Sequence, residues 1–312
     1  MATTTEQLLA SATEGADLTN VADYVTDPTW LGWLNDGVKE LHRFVTNKFK
    51  ATFFRQYDFT LAAGQSQVTL PSNFWRLKGL DINAGTPRRR AVLPFNFGER
   101  NRIRTDYLRD FGPITFDPDR FYNVIGSSLL KIQPEETAAG AYRLYYVPKP
   151  KPLAFVRTIV RDVGNDNVNA FAPSVRGMSF TNGLFGLDDI GNIVTIAGSG
   201  APATNNGPYV ITADDGPTFV NTDRDLTAVT EFFGVGVTAT VTYTLDAELE
   251  PYSEYVWLCA AIKSLVKEES FQQAKFLADQ RNLIRDDLTE ALETDQGGPK
   301  TIIDTDDDGG WG

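Results

Sequence analysis

Apolar residues recur at helical spacing near both ends of the chain and at strand spacing through much of what lies between, so the two ends have to meet to bury their stripes. Leu31, Leu34, Val38, Leu41, Val45 and Phe49 fall three and four apart, while Asp36, Lys39, Glu40 and Arg43 fall elsewhere on the same helix. Asp27 followed by Pro28 predicts the start of that helix. The carboxylate caps free N–H groups, and proline occupies the first turn, where its missing donor costs nothing. At the other end, residues 250–270 place Tyr252, Tyr255, Val256, Cys259, Ile262 and Val266 on one stripe, and residues 271–293 continue with Leu277, Leu283, Leu288 and Leu292. The pattern is that of two helices, or of one with a break near Glu269, Ser270 and Phe271, and it supplies the partner surface for the N-terminal helix.

Between these ends the period is two. Tyr57, Phe59 and Leu61 alternate with polar residues, Ala63 to Ser66 reads as a turn, and residues 67–70 return before Pro71, which predicts a hairpin. Residues 77–82, 91–93, 128–133 and 141–147 are further strand candidates, giving a small, mostly antiparallel sheet beside the helix. Pro148, Pro150 and Pro152, alternating with Lys149 and Lys151, predict a stiff, extended joint. Beyond it, residues 155–243 turn rich in Gly, Asn, Thr, Val and Asp, with β-rich runs at 190–196, 209–212 and 236–244. The expected fold class is therefore α+β. A helical-bundle core with a small antiparallel sheet (residues 1–153 and 246–293) carries an inserted all-β barrel or sandwich (154–245), and a flexible acidic tail (294–312) follows.

Reactive chemistry is sparse. A single cysteine, Cys259, precludes an internal disulfide, and with only His42 beside it no Cys/His zinc site can be assembled within one chain. Both lie on or beside apolar helical stripes, where packing roles are expected in place of nucleophilic or proton-transfer ones. Asp304, Asp306, Asp308 and Gly309 match the opening of a calcium-binding loop but lack its bidentate glutamate, and the Gly234–Val237 run lacks the third glycine of a nucleotide fingerprint. No catalytic, cofactor-binding or metal-binding residue is expected, although paired carboxylates leave a glycosidase formally open. No apolar run approaches the ~20 residues of a membrane span, and the first residues lack the pattern of a signal peptide, so synthesis in a reducing cytoplasm is expected. Charge is unevenly spread: residues 1–150 carry 18 Lys+Arg against 16 Asp+Glu, residues 151–245 carry 5 against 9, and residues 246–312 carry 6 against 16. So acidic a C-terminal segment argues against ordinary affinity for nucleic acid, and simple solubility is the other meaning it can have.

Several stretches, in this order, resemble the head-to-tail adaptor proteins of tailed phages. They are VTDPTWLGWLNDGVKELHRFV, FTLAAGQSQVTLPSNFWRLKGLDI, LPFNFGERNR, YRLYYVPKPKPL, EYVWLCAAIKSLVKEES and GGPKTIIDTD, lying within residues 21–153 and 254–306. Within the insert, LDDIGNIVTIAGSG followed by NNGPYVITA is similar to a small β-module of phage structural proteins. The resemblance implies a non-enzymatic virion protein of the neck, made in the bacterial host. It implies a homo-oligomeric ring, of twelve copies to match a portal, with portal protein above, a tail or nozzle protein below, and double-stranded DNA passing through during ejection. A fibre or capsid contact through the β-module, and an acidic channel wall formed by residues 246–293, belong to the same picture. Two alternatives stand beside it: a cell-wall or glycan-acting virion component with a sugar-binding β-module, and another neck or baseplate protein.

Two segments are singled out as docking candidates. Arg88, Arg89, Arg90, Arg100, Arg102, Arg104 and Arg109 lie within 22 residues, accompanied only by Glu99 and Asp106. Arginine suits planar pairing with carboxylates or phosphates, so the segment reads as a docking surface for an acidic neighbour, with a solvated loop or a DNA contact as other readings. In the tail, Ile302, Ile303 and Trp311 are the large apolar groups among five aspartates, too few to fold alone, and are expected to enter a groove on the portal.

Overall fold

The structure, a computed structural model, describes residues 2–17, 25–48, 53–83, 90–95, 120–133, 139–159, 177–179, 189–197, 207–214, 219–223 and 238–295. The fold is α+β, with four helices and several small sheets among the described residues. The chain divides into a helical unit (Glu6–Ala51 with Leu249–Gly312) and a β unit (Met1–Thr5 with Thr52–Glu248).

The helical unit contains α1 (Thr5–Gly15, from its second residue on), α2 (Asp27–Lys48), α3 (Ser253–Lys267, after a 3-10 turn at Glu250–Tyr252) and α4 (Phe271–Asp295). α2 packs on α3 and α3 on α4, so both ends of the chain do form one bundle. Leu34, Val38, Leu41 and Val45 of α2 are buried, as their spacing requires, and Trp30 joins them. At the crossing of α2 and α3, a Cβ on Gly37 would lie 2.9 Å from the Val256 carbonyl oxygen, so the absence of a side chain there is what lets the helices approach. The start of α2 lies one residue earlier than the Asp27 cap predicted. The Thr26 carbonyl accepts from the N–H groups of Thr29 and Trp30, which places Asp27 and Pro28 inside the first turn. α1 was not predicted: its buried stripe, Leu8, Ala12 and Ala16, is mostly alanine.

The break between the last two helices falls at Glu269, whose φ of +62° ends α3. Ser270 N–H donates to the Leu265 carbonyl and Glu269 N–H to that of Val266, the double closure of a Schellman turn formed without glycine. Two predicted core positions are corrected. Val266 and Leu283 are exposed; on α4 the buried face runs through Ala274, Leu277 and Leu288, and Leu283 lies about 120–180° from each of them.

In the β unit the strands are β1 (Arg55–Leu61), β2 (Gln67–Thr69), β3 (Phe74–Ile82), β4 (Arg90–Ala91), β5 (Leu93–Pro94), β6 (Phe121–Ile125), β7 (Leu129–Gln133), β8 (Gly140–Pro148), β9 (Arg157–Ile159), β10 (Gly177–Ser179), β11 (Ile193–Ala197), β12 (Gly207–Asp214), β13 (Phe219–Thr222) and β14 (Thr238–Thr242). The predicted hairpin does not form. The turn closes, with Gln65 N–H donating to the Ala62 carbonyl, but β1 pairs with β8 and β2 with β7 in different sheets. The reason lies in the long-range partners: Phe59 stacks on Tyr142 of β8 at 5.3 Å, and Asp58 accepts both bonds of an Arg143 fork across the same ladder. One small sheet was expected in this half; two form, ordered β1-β8-β3-β4 and β2-β7-β6-β5, with β5 and β6 parallel. Leu61, Leu80, Leu130, Ile132, Tyr142 and Leu144 form their shared core. The later strands make a third sheet, β10-β13-β12-β11-β14-β9, whose strand order is open at both ends among the described residues.

Candidate functional site

Of the side chains singled out for docking, the structure describes only Arg90, exposed on β4 at the end of the β1-β8-β3-β4 sheet. Arg88, Arg89, Arg100, Arg102, Arg104 and Arg109, like Ile302, Ile303 and Trp311, lie outside the described residues, as do the Gly234 run and Asp304 to Gly309. What the structure does place is a set of charged groups that sequence reasoning passed over.

The first set holds the β unit together. Lys151, read from sequence as part of an extended joint, is buried, and its Nζ donates to Thr244 Oγ1 at 3.1 Å and to the Ile190 carbonyl at 3.3 Å. Its backbone N–H donates to Asp246 Oδ2, and the other oxygen of Asp246 lies 3.5 Å from a guanidinium nitrogen of Arg55. Thr244 in turn donates to the Gly191 carbonyl, and its N–H to Asn192 Oδ1, while Asn192 Nδ2 reaches Asp189. Gly191 has a φ of +85°, which turns the Ile190 and Gly191 carbonyls toward this node. The N-terminal residues join too, since Leu245 N–H donates to the Thr3 carbonyl and Thr5 N–H to that of Tyr243. Burial pushes the Lys151 ammonium down to about 8, against the pull of Asp246, Asp189 and Glu248. Residues 189–192 therefore receive Lys151 and Thr244, fixing strand β11 to both chain crossings at the base of the third sheet.

A second set lies on the helical unit. Tyr255 Oη donates to Glu40 Oε1 at 2.7 Å, Arg281 Nη1 lies 3.8 Å from the same oxygen, and Lys263 pairs with Asp36 at 2.8 Å. These contacts join α2, α3 and α4 along one flank. Burial, then Glu40, pushes the Cys259 thiol up to about 11, so it stays protonated at neutral pH and is unsuited to nucleophilic attack. His42 is fully buried on α2, where its carbonyl accepts from Thr46 Oγ1. Among the described residues no helix is long and apolar enough to cross a membrane, and no three His, Cys, Asp or Glu side chains converge as a metal site.

Among the described residues, the most exposed apolar groups of the helical unit lie at the α3–α4 corner and along α4. Phe271, Phe276 and Leu283 are each more than 60% exposed. A cleft of about 360 Å³ beside Phe276 is lined by Ala16, Leu265 and Leu277 and by Gln272 and Gln273. Sequence reasoning assigned Leu283 to the core and did not single out Phe276. The signal that separates them is angular: Phe276 and Leu283 are seven residues apart and share a face that excludes Leu277 and Leu288.

A chain whose described charged groups fasten elements together, and whose thiol and imidazole are packed away, has the character of a structural component. The family model for the SU10 adaptor protein matches residues 4–173, more than half of the chain. The chain belongs to that family of phage head-to-tail adaptors, structural proteins of the virion neck. No curated protein matches it.

Proposed function

We propose that the protein forms a closed ring, of twelve copies on a twelvefold portal, that joins the portal to the tail and lets double-stranded DNA pass through its centre. The observation that carries this reading is the family match over residues 4–173. The charge distribution supports it: residues 246–312 hold 6 Lys+Arg against 16 Asp+Glu, a balance that repels phosphates and keeps a passing duplex from being retained. In this reading the protein has no catalytic role. The adaptor core comprises residues 1–153 and 246–293, the segment 154–245 is an inserted module that meets an outer partner such as a fibre or the capsid, and the tail at 294–312 anchors to the portal through Ile302, Ile303 and Trp311. Synthesis takes place in the bacterial host and residence is in the neck.

The test is to mix purified full-length protein with the cognate portal at micromolar concentration and follow mass photometry and electron micrographs. A complex of portal mass plus a ring of adaptor copies is expected. Absence of association, or clearance of cell-wall substrate by the protein alone, overturns the reading. Truncation after Glu293 is expected to leave the melting temperature nearly unchanged and to abolish stable attachment; a truncated protein that still rings the portal in high salt places the anchor elsewhere.

A further inference from the structure

The first turns of α4 hold two aromatic residues that the helical unit leaves largely outside. Phe271, the first residue of the helix, is 62% exposed, and Phe276 is 63% exposed. Both lie off the buried face, which runs through Ala274, Leu277 and Leu288. Phe276 forms one wall of the cleft of about 360 Å³, with Ala16, Leu265 and Leu277 beside it. The rim of this cleft at Gly15, Ala16 and Asp17 is electronegative. Helix α1 ends there on its carbonyl groups with no basic residue in its last turn, and Asp17 adds a carboxylate. An apolar floor under an acidic rim fits a large apolar side chain accompanied by a cation.

This chain carries such a pair. Phe271 and Lys275 are four residues apart, so they project from one face of α4, and Lys275 is exposed. Glu268 and Glu269 precede them on the turn between the helices and lie outside that helical face. Phe271 has no access to the cleft of its own chain. At about 100° per residue it lies roughly 100–160° round α4 from Gln272, Gln273, Phe276 and Leu277, the residues of that helix that line the cleft. A two-fold contact needs phenyl group and cleft on one shared surface. Facing different ways from the same turns, they suit a head-to-tail contact, the kind that closes into a ring when the rotation between copies allows it. We propose that Phe271 of one copy enters the cleft beside Phe276 of the next and brings Lys275 to Asp17. The proposal rests on the ring reading above and names the contact between copies that builds the ring.

Full-length protein mixed with the cognate portal tests it. Phe271→Asp removes the phenyl group from an exposed position, and Gln273→Trp fills the cleft from its exposed wall. Circular dichroism and the melting temperature establish that both are folded. Each alone is expected to lose ring formation on the portal, with contact between copies weakened about tenfold or more. Mixed one to one, they are expected to form dimers through the single intact junction and nothing larger. Lys275→Glu should weaken the contact less, and adding Asp17→Lys to the same chain should restore it, because every junction then pairs the reversed charges. As an independent readout, Phe271→Cys and Gln273→Cys proteins, mixed on the portal and oxidised mildly with copper phenanthroline, should give a disulfide between the two different chains; the native Cys259 is buried and takes no part. If Phe271→Asp and Gln273→Trp form complete rings as wild type does, the proposal falls and the ring reading stands. If wild type forms no rings, the ring reading fails and takes the proposal with it. A disulfide between two Phe271→Cys chains in place of the mixed one would show a two-fold contact and overturn the head-to-tail one.

Discussion

In the helical unit the ionised side chains stay at the margins: Glu40, Arg281, Asp36 and Lys263 tie α2, α3 and α4 together from the flank of an apolar interior. In the β unit they go inside. Every buried Asp, Glu, Lys or Arg among the described residues, namely Arg120, Lys151, Asp189 and Asp246, belongs to that unit. The difference follows from where each architecture satisfies its backbone. A helix pairs its own N–H and C=O groups and needs help only at its ends, whereas sheet strands that enter and leave a crowded base bring unpaired backbone groups together from distant parts of the chain. At the base of the third sheet four such passes converge, around residues 3–5, 151, 189–192 and 244–246, and the polar side chains of Lys151, Asn192, Thr244 and Asp246 complete the bonds. A fold of the first kind is held by shape, one of the second kind by matched charge.

The largest expected effect comes from unmatching that charge. Asp246→Ala removes the carboxylate that pulls most strongly on the Lys151 ammonium, leaves the Lys151 backbone N–H without its acceptor and takes from Arg55 a carboxylate partner at 3.5 Å. Breaking a buried pair by removing one partner costs about 3–5 kcal/mol, because the orphaned charge has no water to return to. Urea unfolding of the variant should show a loss of that size. A loss within about 1 kcal/mol of zero would mean that the node is hydrated and that the contrast between the two units is false.

The second effect is a pH dependence. Lys151 titrates at about 8 in the folded chain against 10.5 as its ordinary value, so between those two pH values the unfolded chain binds more protons than the folded one. Stability therefore rises as the pH climbs from 8 to 10.5, and below 8, where both states are protonated, the full desolvation cost is present. At ~1.4 kcal/mol per pH unit the gain is on the order of 3 kcal/mol. Lys151→Met leaves Asp246 paired with Arg55 and serves as the reference, since the other groups titrating in this window are common to both proteins. Wild type should gain on the variant by that amount across the window; parallel curves would show that the lysine is not buried as a cation.

Much of the helical unit was legible in the sequence because its determinants are local. The stripes of α2 and α3, and the break at Glu269 to Phe271, follow from spacing alone. Where the signal was weak the helix was missed, as in α1, whose stripe of Leu8, Ala12 and Ala16 offers little apolar contrast. Where two faces of one helix carried leucine, spacing alone misassigned Leu283. Strand positions were also partly legible, but pairings were not. The turn at Ala62 to Gln65 closes as its residues dictate, yet the strands it joins part company, because their partners in β8 and β7 lie sixty or more residues away in sequence. Lys151 was hidden for the same reason: nothing near a Pro-Lys run announces that Thr244, Asp246 and Ile190 will surround it. Of the docking candidates, only Arg90 lies among the described residues, so the two segments could not be compared with the sequence reading.

Shape should control the helical unit at the next level of effect. Gly37 meets the Val256 carbonyl oxygen at 2.9 Å and the Cys259 Cβ at 3.1 Å from the place its own Cβ would occupy. Backbone on the facing helix cannot rotate out of the way, so Gly37→Ala has to push α2 and α3 apart. The better helix propensity of alanine offsets about 1 kcal/mol of this, and overpacking of this kind costs about 1–3 kcal/mol. A net loss of up to about 2 kcal/mol is expected, and a gain would show that the crossing is looser than its geometry implies.

The smallest effect has the opposite sign and comes from the same helix. Gly32 lies five residues before Gly37, is exposed, and has nothing within 4 Å of where a Cβ would stand. Glycine there contributes no close approach, and its cost is the backbone freedom it gives the unfolded chain. Gly32→Ala removes some of that freedom and puts the best helix former into an exposed helical position, a change that stabilises by about 0.5–1 kcal/mol. The two substitutions are chemically identical, sit in one helix, and differ only in what faces them, so their difference isolates the packing contribution from the propensity one. A gap of about 2 kcal/mol between them is expected from parallel urea melts. Equal effects would mean that the α2–α3 crossing tolerates a methyl group, and then the helical unit would owe its stability to the flanking charges of Glu40 and Asp36 more than to the fit of its interior.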